Sequence, residues 1–203
     1  NALLSFAKSK YIDLTIVGPE EPLSLGIVDI FEKNGLAIFG PSQAASQLES
    51  SKSFCKNFMQ KHNIPTAKAE TFTDAKEAKQ YIKKNKTPIV IKADGLAAGK
   101  GVVIACDETT AMAAVDDMLC KHSFGNAGAK IVIEDFLQGE ELSFIAMVDG
   151  KNILPLATSQ DHKARDNGNK GPNTGGMGAY SPATLATDQL IDRIMTEVML
   201  PTV

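Results

Sequence analysis

Tryptophan is absent from the 203 residues, histidine and cysteine each occur three times, and aromatics make up 6%. The cysteines, Cys55, Cys106 and Cys120, fit neither C-x-x-C nor any zinc spacing, so no disulfide framework or structural zinc site is encoded. Each reads as a reduced thiol packing as a small hydrophobe, with the cytoplasm as the expected compartment. No apolar run approaches the ~20 residues of a bilayer span, so no membrane partner is expected. A charge excess is missing too: 21 Lys and Arg against 24 Asp and Glu give a net charge of -3. Nothing global therefore draws in nucleic acid or an anionic surface. The 43% hydrophobic and 22% charged content is ordinary for a globular chain with a core of one or two domains.

The commonest nucleotide signatures are also lacking. A Walker loop needs G-x-x-x-x-G-K-[ST] followed by a helix. Here Gly95 and Gly99 are separated by three residues, and Lys100 is followed by Gly101 and an apolar run. No Rossmann G-x-G-x-x-G occurs, and the kinase HRD and DFG signatures are missing.

What is present begins with hydrophobic periodicity. A helix over 3–10, a strand over 12–17, a helix over 23–33 and a strand over 36–39 describe a parallel βαβ unit. Its loops Gly18-Pro19-Glu20 and Gly40-Pro41-Ser42 follow strands, where ligands of open α/β sheets sit. Ser42 is placed to cap a short helix to 48, and 50–62 reads as a further helix. From 70 to 134 the order is strand, helix, strand, glycine loop, strand, helix, strand, with Asp74 and Asp107 as helix caps. Strands follow over 141–148 and 152–158, then a long polar loop over 159–182, then an amphipathic helix over 187–199.

The chemistry concentrates in 88–104. An apolar run ends in Lys92, a loop carries Gly95, Gly99, Lys100 and Gly101, and a second apolar run follows. Two lysines among free backbone N–H groups make a place for phosphate. Flanking strands make the loop a hairpin cover rather than the start of a helix. The next strand runs into Glu134-Asp135-Phe136-Leu137-Gln138-Gly139-Glu140-Glu141. A connector of this kind offers backbone groups to an adenine edge and a carboxylate to ribose hydroxyls, since ionised carboxylates only accept. Alternation along a strand lets only one of Glu140 and Glu141 face a ligand.

Together these residues resemble the ATP-grasp superfamily and, within it, the phosphoribosylamine–glycine ligase (glycinamide ribonucleotide synthetase) family. The likeness is carried by 13–20, 89–101, 134–141, Ala157-Thr158-Ser159-Gln160-Asp161-His162-Lys163 and 171–182, which reads GPNTGGMGAYSP. It implies α/β followed by α+β architecture. The end of a Rossmann-like parallel-sheet domain would span 1–48, a connecting helix and linker 49–69, a small ATP-grasp lid lobe 70–135, and the first part of the large lobe 136–203. The implied reaction joins glycine to 5-phosphoribosylamine at the expense of ATP, through a glycyl phosphate. Lys52, Lys92, Gly95, Gly99, Lys100 and Gly101 match the ATP phosphate site; Glu134, Phe136, Leu137 and Glu141 match the adenosine site, with Glu141 preferred to Glu140 for the ribose. Asp161, His162 and Lys163 match the reacting centre, with Lys163 on phosphate and His162 as positioning group or proton relay. Gly18, Pro19, Glu20, Ser159, Asn173, Thr174, Gly175, Gly176 and Met177 match substrate loops.

The chain departs from the family at Ala164, where Asp-His-Lys-Arg is usual and the arginine, Arg165, stands one place later. The family's opening G-x-G-G-R-E turn is not found, and the ligands for Mg2+ or Mn2+ are expected beyond Val203, so no metal residue is assigned. A piece of a longer, monomeric protein is therefore expected, inactive by itself. Two other readings stay open: another ATP-grasp carboxylate–amine ligase, and a noncatalytic adenine-nucleotide-binding module.

Overall fold

The computed structural model describes residues 2–97, 100–168 and 170–203, without the side chains of Pro172 and Asn173. The chain divides into two compact units. One comprises Asn1–Met59 with Thr66–Phe136, the other Gln60–Pro65 with Leu137–Val203.

The first unit opens with helix α1 (Ala2–Ser9) and the short strand β1 (Thr15–Ile16), which pairs in parallel with β2 (Ile38–Phe39). The expected βαβ unit is present, but its helix is in two pieces, α2 (Glu20–Ser24) and α3 (Ile27–Lys33). Gly26 takes φ 79° between them, a left-handed turn that stops the first helix and starts the second. The strands are also shorter than the apolar runs suggest, because only the pairing residues are held by a ladder. After α4 (Gln47–Ser50), Ser51 is extended, so the helix expected over 50–62 begins later, as α5 (Lys52–Lys61).

The rest of this unit is a four-stranded sheet, β3 (Ala69–Phe72), β4 (Ile89–Ala93), β5 (Val102–Ala105) and β6 (Ile131–Asp135), in the order β3-β6-β4-β5. Every pairing in it is antiparallel. Helices α6 (Ala75–Asn85) and α7 (Glu108–Val115) cover one face. Asp74 accepts from the Glu77 N–H and Asp107 from the Thr110 N–H, so both predicted caps form. A π turn carries the second helix on to Cys120. The pleat sorts the strand residues: Ile89, Ile91, Ala93, Ala105, Ile131 and Ile133 meet Ala78, Ile82, Ala111, Val115 and Met118 in the core. Val90, Lys92, Val102, Ile104 and Glu134 take the other face.

In the second unit β7 (Ala146–Val148) and β8 (Ile153–Pro155) form a hairpin. Asp149 holds its turn by accepting from the side-chain amide and backbone N–H of Asn152 and the N–H of Lys151, which draws its pKa down to about 2. The segment over 159–182 is not a loop. It is a second antiparallel hairpin, β9 (Gln160–Asp166) and β10 (Lys170–Tyr180), with irregular register on either side of Asn173. Its strands are mostly exposed, the first polar and the second glycine-rich, so they lack the apolar alternation that signals a strand. Helix α8 (Asp188–Ile194), capped by Thr187, and α9 (Leu200–Thr202) close the chain. Among the described residues no helix is long and apolar enough to cross a membrane.

Ile91 is 0% exposed and Ile104 is 49% exposed on the opposite face. Ile91→Ala should cost about 2–5 kcal/mol, and Ile104→Ala less than about 1 kcal/mol, in denaturant unfolding. Equal costs would contradict the assigned faces.

Candidate functional site

The open face of the antiparallel sheet places one buried carboxylate among lysines. Lys92 on β4 pairs in register with Val132, and Glu134 lies two residues further along β6, so the two side chains are diagonal neighbours on one face. They form an ion pair. The Glu134 side chain is 8% exposed, and its second oxygen, Oε2, is fully enclosed, held by Lys56 Nζ at 2.6 Å as charge rather than as an aligned hydrogen bond. Burial acts to raise the Glu134 carboxyl, but the two ammonium groups of Lys56 and Lys92 outweigh it and leave the pKa below its usual value. Lys56 also donates to Thr66 Oγ1 at 2.7 Å and to the Ala67 carbonyl at 3.2 Å. The expected backbone hinge over 134–137 thus begins with a side chain that has its own electrostatic task. Phe136 and Leu137, 36% and 69% exposed, follow the end of β6.

Lys52 reaches this neighbourhood through a second network. It is the first residue of α5, and its backbone N–H donates to the Asp94 carbonyl at 3.0 Å. The Asp94 carboxylate accepts from the Ser53 N–H at 2.6 Å and from Ser51 Oγ, and lies 3.7 Å from Lys130 Nζ. An acid at the root of the glycine loop therefore caps a helix 41 residues earlier in the chain. Lys52 Nζ donates to the Gly95 carbonyl at 3.2 Å. Burial lowers its pKa, opposed by the charges of Glu49 and Asp94 and assisted by that of Lys92.

The feet of the glycine loop are packed tightly. A Cβ on Gly95 would lie 2.9 Å from Cα and Cβ of Ala127, and one on Gly101 2.7 Å from Ala97 Cβ. These two glycines are required by close approach. Lys100 is exposed, and the expectation for Gly99 falls outside the described residues. A cavity of about 620 Å³ lies beside the loop, lined by Leu96, Ala97, Gly101 and Val102 on one side and by Pro19, Glu20, Glu21, Glu49 and Lys52 on the other. The structure so joins Pro19 and Glu20 to Lys52 and Gly101. Gly18 is exposed next to them.

In the second unit Asp161 and Lys163 form a pair at 3.0 Å, and the hydrogen bond and charge of Asp161, with the charge of Glu141, raise the lysine's pKa. His162 stacks on Tyr180, ring centroids 5.9 Å apart, on the other face of β9. The three neighbours in sequence are not one cluster. Thr174 Oγ1 donates to the Lys163 carbonyl and accepts from the Gly176 N–H, each at 3.0 Å, which fixes 174–176 against Lys163. Gly175, Gly176 and Met177 are exposed, while Ser159 exchanges backbone hydrogen bonds with Ser143. Glu140 and Glu141 lie outside any strand, so pleat alternation does not choose between them. Arg165 pairs with Asp166. Among the described residues no three His, Cys, Asp or Glu side chains are grouped to hold a metal ion.

The sequence reading missed Lys56, Asp94, Ser51, Ser53 and Lys130. Lys56 stands four residues after Lys52 on one helix, a spacing that puts both on one face. Asp94 precedes a loop glycine at a strand end, which is a turn signal. Neither signal names a partner.

The backbone arrangement, a parallel βαβ segment followed by an antiparallel lobe, is shared with solved structures. The biotin carboxylase domain of a 2-oxoglutarate carboxylase from Hydrogenobacter thermophilus, solved with MgADP, ADP and bicarbonate, matches with a TM-score of 0.76 over 99% of this chain and 44% of its own, at 17% identity, a likeness of fold alone. The fold is the ATP-grasp fold. Family models then resolve the class: the phosphoribosylglycinamide synthetase N domain matches residues 1–49 and the ATP-grasp (A) domain of the same synthetase matches residues 50–203. The chain belongs to the phosphoribosylglycinamide synthetase family. A phosphoribosylamine–glycine ligase from Allochromatium vinosum is 62% identical over 201 residues, covering 99% of this chain and 47% of its own length. The crystal structure of the Thermotoga maritima phosphoribosylamine–glycine ligase matches with a TM-score of 0.72 and 36% identity over 81% of this chain and 42% of its own. The chain spans about half the length of the curated relatives it matches.

A carboxyl whose pKa is lowered by folding stabilises fully above its ordinary value, 4.5 for Glu134, and loses that contribution as pH falls below it through the folded value. Glu134→Gln should therefore flatten the fall of stability with pH below about 4.5, measured by denaturant unfolding across the acid range. An unchanged slope would contradict the ion triplet. Asp94→Ala should cost about 1–2 kcal/mol through the lost cap and weaken protection of the 51–53 amides in hydrogen exchange.

Proposed function

We propose that the protein containing this chain ligates glycine to 5-phosphoribosylamine with ATP, and that the first unit binds the nucleotide. The observation that carries the nucleotide reading is Lys92 on the open sheet face beside Glu134, with Lys52 close enough to repel it. A polyphosphate adds negative charge where Lys52 and Lys92 repel each other and where Glu134 is shared between Lys92 and Lys56, while Val90, Val102 and Ile104 on the same face as Lys92 offer an apolar bed for a base. Gly95 and Gly101 set the feet of a loop that covers the phosphates, and Phe136, Leu137 and Glu141 belong to the adenosine end. The domain division given above, at 48, 69 and 135, belongs to the same proposal.

In the proposed reaction a glycine carboxylate oxygen attacks the terminal phosphorus of ATP, and ADP leaves. The amine of phosphoribosylamine then attacks the acyl carbon of the glycyl phosphate, phosphate leaves, and the nitrogen gives up its proton. Such a reaction needs alignment and neutralised charge more than a nucleophilic side chain. Lys163, held by Asp161, is assigned to the transferred phosphoryl group, and His162 is left to positioning on Tyr180. The loop 174–177 and the cavity beside Pro19 and Glu20 are assigned to substrates. ATP works here with a divalent cation, and no residue described above is assigned to it.

Calorimetric titration with ADP should give saturable binding, weakened by on the order of tenfold or more in Lys92→Ala, since hydrogen bonds to charged groups contribute about 1.5–3 kcal/mol. Equal affinities would remove Lys92 from the site. The whole protein should release ADP only with both glycine and phosphoribosylamine present. ADP release with a different acid or amine would favour another carboxylate–amine ligase.

A further inference from the structure

We infer that Lys56 is a positioning residue, a fixed counter-ion whose hold on Glu134 leaves Lys92 free to exchange between that carboxylate and a ligand phosphate. The inference rests on the nucleotide reading above for the ligand's identity, but the exchange itself belongs to the protein alone.

The two lysines on Glu134 differ in their surroundings. Lys56 has three oxygen partners: it donates hydrogen bonds to Thr66 Oγ1 and the Ala67 carbonyl and is ion-paired with Glu134 Oε2. Its side chain is 15% exposed, and it ties α5 to the segment just after Pro65. Lys92 has Glu134 as its ion-pair partner and is 29% exposed. Among the described residues, one ammonium is anchored at three oxygens and the other is tethered at one carboxylate. Two positive groups share one carboxylate, so the triplet keeps a surplus positive charge. When Lys92 turns toward a phosphate, Glu134 stays paired. Without Lys56, the same movement would strand a buried carboxylate, a costly state that would hold Lys92 in place.

A purely structural role for Lys56 makes the opposite forecast. Losing a tie between α5 and the sheet would loosen the face and expose Lys92 more. Acetic anhydride labelling of Lys92 in the 203-residue chain, read by mass spectrometry, separates the two. Lys56→Met should lower Lys92 labelling severalfold, and Glu134→Gln should raise it. Lys56→Arg should leave it near the wild-type level. In parallel, Lys56→Met should weaken ADP by on the order of tenfold while leaving adenosine nearly unchanged, since only the phosphates call on Lys92. If Lys56→Met fails to fold, as judged by circular dichroism, Lys56→Gln takes its place, keeping an N–H donor without the charge. Labelling of Lys92 that is unchanged or raised in the uncharged variant overturns the inference, as does equal loss of ADP and adenosine. If wild-type chain binds ADP no better than adenosine, the nucleotide reading falls, and labelling still decides the exchange.

Discussion

A carboxylate on the exposed side of a sheet has no need of partners, but Glu134 is almost wholly enclosed, and an enclosed charge must be paired. Much of the first unit's arrangement answers to that requirement. The pairing of β4 with β6 brings Lys92 from one strand, and α5 brings Lys56 from outside the sheet. Because Lys56 is also tied to Thr66 and Ala67, the helix, the segment after it and the sheet are fixed to one another by a single ammonium group. Among the described residues Lys56 has three oxygen partners and is 15% exposed, whereas Lys92 has its pair with Glu134 and is 29% exposed. That difference is what a site needs if one lysine holds the scaffold and another meets a ligand.

The Asp94 network does the same for the glycine loop. The loop leaves β4 at Asp94, whose carboxylate caps α5 and whose backbone carbonyl takes the first N–H of that helix. Lys52 is thereby delivered to the loop by backbone geometry, before its own side chain makes any contact. Gly95 and Gly101 allow the feet of the loop to press against Ala127 and Ala97, so the loop is anchored at both ends. The two networks meet on α5, where Lys52 and Lys56 stand one turn apart.

Much of this was legible in the chain. The apolar run ending in Lys92, the glycine loop and the following strand were placed by periodicity and punctuation, and Asp74 and Asp107 were identifiable caps because capping is local. Other features were not, for reasons that can be stated. The 159–182 segment looked like a loop because it is polar and its second strand is rich in glycine, yet the backbone ladder and the bond from Thr174 Oγ1 to the Lys163 carbonyl hold it as a hairpin. The motif set Asp161, His162 and Lys163 together, and the strand then divides them, with His162 on Tyr180 and Asp161 with Lys163, because adjacent side chains on a strand take opposite faces. The helix over 23–33 was split by a left-handed glycine that periodicity does not register.

The sequence alone determined the local structure and the family: where helices start, which residues alternate into the core, and a set of motifs specific enough to name a ligase. Tertiary structure decided which charges meet. Glu134 and Lys56 lie 78 positions apart, and Asp94 and Ser53 lie 41 apart. Pairing at such distances depends on strand register, which follows from burying the apolar faces of β4, β6, α6 and α7 together, and on the placement of α5, which is held by hydrogen bonds to Asp94, Thr66 and Ala67. No pattern along the chain encodes that juxtaposition, because the forces that create it act between segments rather than within them.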